Sequence, residues 1–370
     1  MREVLIIAGE ASGDLHASGL ATALQRIRPD LALAGVGGAR MEAAGVTLLE
    51  RADRMAVMGF VEVIRQVPRH YALLSSLKRR LRSGGVALLV VIDYPGFNMK
   101  LAAAAAAAGV PVLYYITPQV WAWGAGRLAE LARIVTRAAT ILPFEESLLR
   151  SHGINATFVG HPLLDRIDEM PDRAEARRSL GLGEDDTVLA LFPGSRAQEI
   201  ERHLDAFVRT AQVLERARPG LRVIVSAAPT VTIDPARCPY PRVPSASFSV
   251  LRAANAALCK SGTTTLEAAV AGCPLAVAYK TSPWTYAIAR RVVKIPHIGL
   301  VNVVAGREVA REFVQNAVVP EHIAETLMPL LIPGDPRRTA MLGELAEVRS
   351  RLGTPGAAER VATIASELAA

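Results

Sequence analysis

Cysteine is scarce in this 370-residue chain: Cys238, Cys259 and Cys273 are all there is, with no C-x-x-C pair and no metal-ligand spacing. An odd count argues against a disulfide framework and for a reducing compartment. Aromatic residues make up 5%, too few for the stacking platforms that bind single-stranded nucleic acid. Lysine supplies only 5 of the 42 basic residues, so the net charge of +7 is carried by arginine. Arginine favours forked contacts to phosphate and carboxylate, although a GC-rich genome produces the same bias. No apolar stretch reaches the ~20 residues of a membrane span. The chain opens on a strand rather than on a charged and apolar leader. The expectation is a cytosolic protein, or one peripheral on the cytosolic side of a membrane, with no nucleic-acid partner.

What is present is a globular composition, 51% apolar and 21% charged, on a chain long enough for two cores. Apolar strands alternate with Ala-rich helices nearly end to end, which predicts an α/β protein with mostly parallel sheets. In the first half Val4–Ala8, Leu31–Val36, "ALLVVID" and "VPVLYYI" read as strands, and "ATILPF" and "ATFVGHP" as short late ones. A helix follows Asp14, and "MKLAAAAAAAG" is a second, capped by Gly109 and stopped by Pro111. After Gly160-His161-Pro162 a charged segment intervenes and the pattern restarts with "TVLALFPGSR", "LRVIVSAAP", "ANAALCKSG" and "CPLAVAY". Two similar halves in tandem are therefore expected, facing each other across a cleft. In open α/β sheets ligands sit outside the carboxyl ends of strands, so the strand exits are where chemistry is sought.

Two exits of the second half suit an anion. In "LFPGSRAQEIE", Gly194 admits backbone to a ligand, Ser195 offers a hydroxyl and Arg196 a guanidinium, all at the start of a helix. A capping loop would use Ser195 equally well. In "CKSGTTTLEAAVAGCP", Lys260, Ser261, Gly262, Thr263, Thr264 and Thr265 crowd another helix N-terminus. Glu267, one turn on, would repel phosphate but suits a ribose diol. Together these exits point to a nucleoside diphosphate.

The first half is different. "GEASGD" places Glu10, Ser12, Gly13 and Asp14 where a phosphate loop would carry no acid, which suits the hydroxyls and amides of a sugar; a helix cap for Ser12 and Asp14 is the alternative. Asp93 ends the most apolar strand, and Pro95 to Asn98 turn the chain away. A carboxylate desolvated there would be a better base, although a helix-capping Asp reads the same. His16, His161 and His297 are scattered, so no metal site is expected.

Two segments join apolar anchors to positive charge, the pattern of an interfacial segment. One contains Met55, Val57, Met58, Phe60 and Val61 and lies in a basic stretch that includes Arg79 and Arg80. The other contains Trp284 and Tyr286 beside Arg290 and Arg291. Amphipathic helices packed on a core would show the same residues.

The ordered set "GEASGD", "AVMGFVEV", "IDYPGFN", "TPQVWAWG", "ILPFE", "FVGHPLLD", "FPGSRAQEI" and "SGTTTLEAAVAGCP" resembles the lipid-A-disaccharide synthases from Val4 to about Val318. The resemblance implies a GT-B fold of two Rossmann-like domains. It implies 1–165, joined by the C-terminal helix 353–370, on the acceptor and lipid side, and 166–352 on the UDP-sugar side. It further implies an inverting transfer of 2,3-diacylglucosamine from UDP to the 6-hydroxyl of 2,3-diacylglucosamine 1-phosphate, needing no cofactor. Asp93 matches the family's base, Glu267 the ribose ligand, and Asn302, in "LVNVVAGRE", a residue used near the UDP-sugar. Glu10, Ser12, Gly13, Asp14 and Asn98 fall to the acceptor sugar, and Met55–Phe60 to its acyl chains. The implied setting is the anionic cytosolic face of the bacterial inner membrane, and the pattern admits a homodimer. The competing readings are another GT-B enzyme of UDP-GlcNAc, an epimerase or the peptidoglycan transferase, and a non-catalytic nucleotide-sugar-binding membrane adaptor. A dinucleotide dehydrogenase lacks its G-x-G-x-x-G here.

Overall fold

The computed structural model describes residues 2–52, 60–122, 125–228, 231–244, 246–292 and 295–370, and of residues 60–67, 125 and 288–292 the backbone alone. The chain divides into two compact units, Met1–Asp165 with Gly353–Ala370, and Arg166–Leu352.

In the first unit β1 (Glu3–Ala8), α1 (Ala11–Ile27), β2 (Ala32–Gly37), α2 (Ala39–Ala43), β3 (Thr47–Arg51), α3 (Phe60–Arg82), β4 (Val86–Ile92), α4 (Pro95–Ala107), β5 (Val112–Tyr115), α5 (Leu128–Ile134), β6 (Arg137–Thr140), α6 (Glu145–Ser151) and β7 (Ala156–Phe158) follow one another. The strands form one parallel sheet in the order β3-β2-β1-β4-β5-β6-β7. Successive side chains of a strand point to opposite faces. Leu5 and Ile7 enter the core that also holds Leu77, Leu81 and Leu101, while Val4, Ile6 and Ala8 enter the other, with Leu20 and Leu24. Both faces are covered, so these strands read as unbroken apolar runs.

The second unit carries α7 (Arg173–Ser179), β8 (Val188–Phe192), α8 (Ala197–Ala217), β9 (Arg222–Ala227), β10 (Arg242–Pro244), α9 (Ser247–Ala253), β11 (Ala256–Lys260), α10 (Thr264–Ala271), β12 (Leu275–Tyr279), α11 (Pro283–Val292), α12 (Leu300–Ala305), β13 (Glu312–Val314), α13 (Pro320–Leu331) and α14 (Pro336–Arg351). Its parallel sheet runs β10-β9-β8-β11-β12-β13. The last helix, α15 (Ala357–Leu368), belongs to the first unit again. Its Val361, Ala362 and Ala365 join the core beside Ala17, Leu20 and Leu24 of α1. Asp165 caps it: the carboxylate accepts from the backbone N–H of Gly356 (2.7 Å), Ala357 (3.0 Å) and Ala358 (3.1 Å).

Two helices begin earlier than the sequence reading has them. The first starts at Ala11, so Ser12, Gly13 and Asp14 lie in its opening turn and not in a loop. The Ala-rich helix starts at Pro95, a residue pre-set for the first helical turn. Among the described residues no helix is long and apolar enough to cross a membrane.

Candidate active site

Each sheet has the order 3-2-1-4 at its centre, so the connections leave in opposite directions between the first and fourth strands. A crevice opens at such a switch point, outside the strand ends. In the first unit it falls between β1 and β4, paired up to Ala8 and Ile92. It therefore brings together the two acidic exits: Glu10 and Ser12, both exposed, and Asp93. Gly9 is required there, because a Cβ would stand 2.5 Å from the ring of Tyr94.

Asp93 and Tyr94 hold consecutive left-handed backbones, φ 46° and 48°, and Ile116 at the next exit has φ 60°. Each such residue costs about 1–2 kcal/mol, and non-glycine strain of this kind gathers at functional sites. The turn is held by its own hydrogen bonds. The N–H of Asp93 is shared between the carbonyls of Tyr115 and Ile116, at 3.2 Å each. Its carbonyl accepts from Asn98 Nδ2 (2.7 Å) and Tyr114 Oη (3.0 Å). Burial pushes the Tyr114 hydroxyl far up, so it remains a donor.

Four expectations change here. Asp93 is exposed, so the desolvation expected of it is absent. Asn98 is fully buried and also donates to the Ile92 carbonyl at 3.1 Å, so it holds the Asp93 turn rather than facing a sugar. Asp14 is buried as well; its carboxylate accepts from the N–H groups of Gly38 (2.6 Å), Met41 (3.1 Å) and Arg40 (3.2 Å), capping α2 and not its own helix. Gly13 is buried against Ala8, 3.3 Å from a would-be Cβ, which makes it a helix-packing position.

At the β5 and β6 exits stands a residue whose weight the sequence reading missed. Glu145, 3% exposed, accepts from Trp121 Nε1 (3.0 Å) and Leu142 N (3.1 Å). Burial pushes its carboxyl up to about 7 against those two donations.

In the second unit the switch point lies between β8 and β11, where Phe192 pairs with Cys259. The two anion-suited exits are thus neighbours, and Glu199 ties them together. Its carboxylate accepts from Ser195 N (2.9 Å) and from Lys260 Nζ (2.8 Å). Burial alone would raise its pKa; the Lys260 and Ser195 bonds outweigh that and hold it low. Lys260, read from sequence as a ligand-facing cation, is therefore committed to Glu199. Gly194 has φ 139°, and a Cβ there would meet Glu199 Cβ at 2.5 Å. Ser195 and Arg196 are exposed beyond it.

At the other exit Ser261 Oγ donates to the Ile298 carbonyl at 2.6 Å. Thr265 is fully buried, donating to the Gly262 carbonyl (2.8 Å) and accepting from Val301 N (3.2 Å), so it pins α10 to α12 and is withdrawn from any ligand. Gly262 has φ 152°, and a Cβ there would lie 3.8 Å from Lys260 Nζ. Thr263 and Thr264 make no side-chain hydrogen bond among the described residues. Burial raises the Glu267 carboxyl, offset by the nearby Ser247 hydroxyl and the charge of Arg166. Asn302 is withdrawn too. It is fully buried, donates to the Ala310 carbonyl (2.6 Å) and Glu312 Oε1 (2.8 Å), and accepts from Val309 N (2.8 Å) and Ala310 N (2.9 Å). His203, unremarked in the sequence, is buried and neutral: Nε2 accepts from Lys280 N (2.8 Å), which leaves the proton on Nδ1 for the Glu199 carbonyl (2.6 Å).

Of the lipid-directed residues, Met55, Val57 and Met58 lie outside the described residues, as do the side chains of Phe60 and Val61. Arg80 is paired with Glu3, Nε to Oε1 at 2.7 Å, at the amino end of β1. Its charge is thereby balanced, at the pole opposite the exits, because a crossover helix runs back along the sheet. Arg79 is exposed beside it. Trp284 is 83% exposed at the start of α11. Among the described residues no three His, Cys, Asp or Glu side chains gather to hold a metal.

A model of the family described as lipid-A-disaccharide synthetase matches residues 4–351. The chain is 43% identical to the lipid-A-disaccharide synthase of Syntrophus aciditrophicus over 373 residues, covering 99% of this chain and 97% of that one. It is 42% identical to that of Myxococcus xanthus over 373 residues, with coverages of 99% and 97%. Among solved structures, the calicheamicin glycosyltransferase CalG4 aligns with a TM-score of 0.64 at 16% identity, covering 100% of this chain and 98% of that one. UDP-GlcNAc 2-epimerase from Neisseria meningitidis bound to UDP-GlcNAc aligns at 0.60 and 12% identity, with coverages of 99% and 98%. These structural likenesses show the fold, GT-B.

Proposed function

We propose, from the premise that this chain belongs to the lipid-A-disaccharide synthase family, how its residues divide the work of the glycosyl transfer. The family takes a UDP-sugar and an acylated glucosamine phosphate and forms the lipid A disaccharide. The observation that carries the division is the chemistry at the two switch points: acids and hydroxyls at that of the first sheet, guanidinium, hydroxyls and helix N-termini at that of the second.

In this reading the first unit holds the acceptor. Asp93 takes the proton of its 6-hydroxyl as that oxygen attacks the anomeric carbon from the face opposite UDP. One displacement inverts the centre, through a transition state of oxocarbenium character. The held turn fixes the carboxylate by the backbone, so that its angle of attack does not depend on a mobile loop. Glu10 and Ser12 receive sugar hydroxyls. The second unit holds UDP. Arg196, Ser195 and the N–H groups opening α8 and α10, with Thr263 and Thr264, meet the diphosphate charge that grows as the bond breaks. Glu267 takes the ribose. Asp14, Asn98, Thr265 and Asn302 act by positioning these groups.

The enzyme works at the cytosolic face of the inner membrane, where exposed Trp284 and Arg79 meet anionic lipid; a homodimer is compatible with this. Incubation with both lipid substrates should yield UDP and one β-1,6 disaccharide. Asp93→Asn should lower kcat by about 10²–10⁴, the usual worth of a general base, while UDP affinity stays within twofold. Unchanged turnover in that variant removes Asp93 as the base. UDP released with water alone removes the transferase reading.

A further inference from the structure

Away from both switch points, three arginines converge on a cleft of about 360 Å³ in the second unit. Arg173 comes from the first turn of α7, Arg252 from the end of α9 and Arg338 from the start of α14. Asn255, Ala271 and Gly272 complete the polar side, and Leu251, Pro333 and Leu342 form an apolar wall. Asn255 directly precedes β11, and Gly272 lies shortly before β12, so the cleft is at the amino ends of the strands, the pole opposite the UDP exits.

The guanidinium groups are held in place by main-chain carbonyls. Arg173 Nη1 donates to Ala254 (2.9 Å) and Arg252 (3.0 Å) and its Nη2 to the side-chain Oδ1 of Asn255 (3.3 Å), and Arg252 donates to Ala271 and Pro171, at 3.2 Å each. Arg338 Nη1 donates to Leu330 (2.6 Å) and to Asn255. Several of these carbonyls close α9, α10 and α13, so helix dipoles balance part of the charge. The balance is incomplete. Among the described residues no carboxylate lies within ion-pair distance of the three arginines. The nearest acids in sequence, Asp172 and Asp335, cap α7 and α14. The Cys273 thiol against Arg173 and Arg338 is pushed up to about 12 by burial and carries no charge at neutral pH. Arg177 and the other two arginines repel Arg173, adding to a burial that already disfavours its charge. Meanwhile Nη2 of Arg252 and Nε and Nη2 of Arg338 donate to no protein group among the described residues.

Convergent, rigidly held, half-spent guanidinium groups beside an apolar wall are what a tetrahedral oxyanion needs and what a neutral ligand does not. We propose that this cleft is a second anion site, separate from the UDP site, that takes a phosphate group carried on a larger molecule. A carboxylate would occupy one fork. The open donors of Arg252 and Arg338 suit two phosphate oxygens, with the charge of Arg173 behind them, and the remaining volume with Leu251, Pro333 and Leu342 accommodates what the phosphate is attached to.

The test uses the full chain saturated with UDP, so that the exits of β8 and β11 are occupied. Inorganic phosphate is then titrated by calorimetry. The wild type should bind it. Leu342→Glu, which places a carboxylate against the arginines without removing any arginine–carbonyl bond, should weaken binding at least about tenfold while UDP affinity is retained. Should that variant not fold, Arg252→Gln, which keeps an N–H donor, is read the same way. No phosphate uptake by the UDP-saturated wild type, or wild-type uptake by the folded variant, overturns the proposal. Competition by short-chain phosphatidylglycerol, monomeric in solution, identifies the source: displacement of phosphate from the wild type places the phosphate on a lipid headgroup, and no displacement places it on a soluble compound.

Discussion

Asp93 and Tyr94 stand in succession at positive φ without glycine's freedom, so the turn persists because its neighbours hold it. Asn98 is the buried half of that hold. Asn98→Leu keeps the volume and removes both donations, which should cost about 1–3 kcal/mol of stability. It should lower kcat with UDP affinity unchanged, and thermal melts read beside turnover check both. The equivalent residue of the second unit is Glu199. In Glu199→Gln the Ser195 N–H and Lys260 lose a charged acceptor. UDP affinity should fall about tenfold, the scale of a lost charge-assisted bond, with acceptor KM unmoved. Glu145 supplies a pH test. Its carboxyl is pushed up to about 7 by burial. As pH rises toward that value the unfolded chain sheds a proton that the folded chain keeps. Its stabilising contribution is therefore complete only below the unfolded value and is lost as pH rises through about 7. Glu145→Gln has no proton to shed, so between about pH 5 and pH 8 the wild-type Tm should fall relative to the variant's.

At the scale of elements, the β1–α1 and β4–α4 connections are built as a pair, because Gly9 leaves the space that Tyr94 fills. Gly9→Ala should push Tyr94 aside and carry Asp93 with it. A misplacement near 1 Å costs about 10² in rate, so turnover should collapse while circular dichroism stays native; normal turnover would uncouple the two exits. The long buried strands and the glycine-bearing exits were legible in the sequence, because an unbroken run such as Leu88–Ile92 suits a strand covered on both faces. The edge strands β3, β10 and β13 were not legible. "TLLER", "RVP" and "EFV" are short and partly exposed, and pairing with one neighbour gives them no apolar signature. Asp14, Asn98, Thr265 and Asn302 were read as ligand-facing for a related reason. A polar side chain at a strand exit looks alike whether it serves a substrate or the backbone. The backbone partners of Asp14 at Gly38, Arg40 and Met41 are made adjacent only by folding.

At the scale of the molecule, each unit owns a sheet and a core, and the chain ends in the unit where it began. α15 lies on α1 and closes one face of the first sheet, so that unit is incomplete without the last 18 residues, Gly353–Ala370. Deleting them would expose Ala17, Leu20 and Leu24. Asp165→Ala is the gentler version: it removes three N–H acceptances at the start of α15, worth about 1–2 kcal/mol. Both changes act on the first unit, whereas UDP stabilises whichever unit binds it by RT ln(1 + [L]/Kd). Calorimetry of the full-length chain should therefore show Asp165→Ala lowering one component of unfolding and saturating UDP raising the other, with the two shifts independent. If UDP raises the component that Asp165→Ala lowers, the nucleotide belongs to the first unit, and the division of acceptor and UDP between the two sheets is reversed.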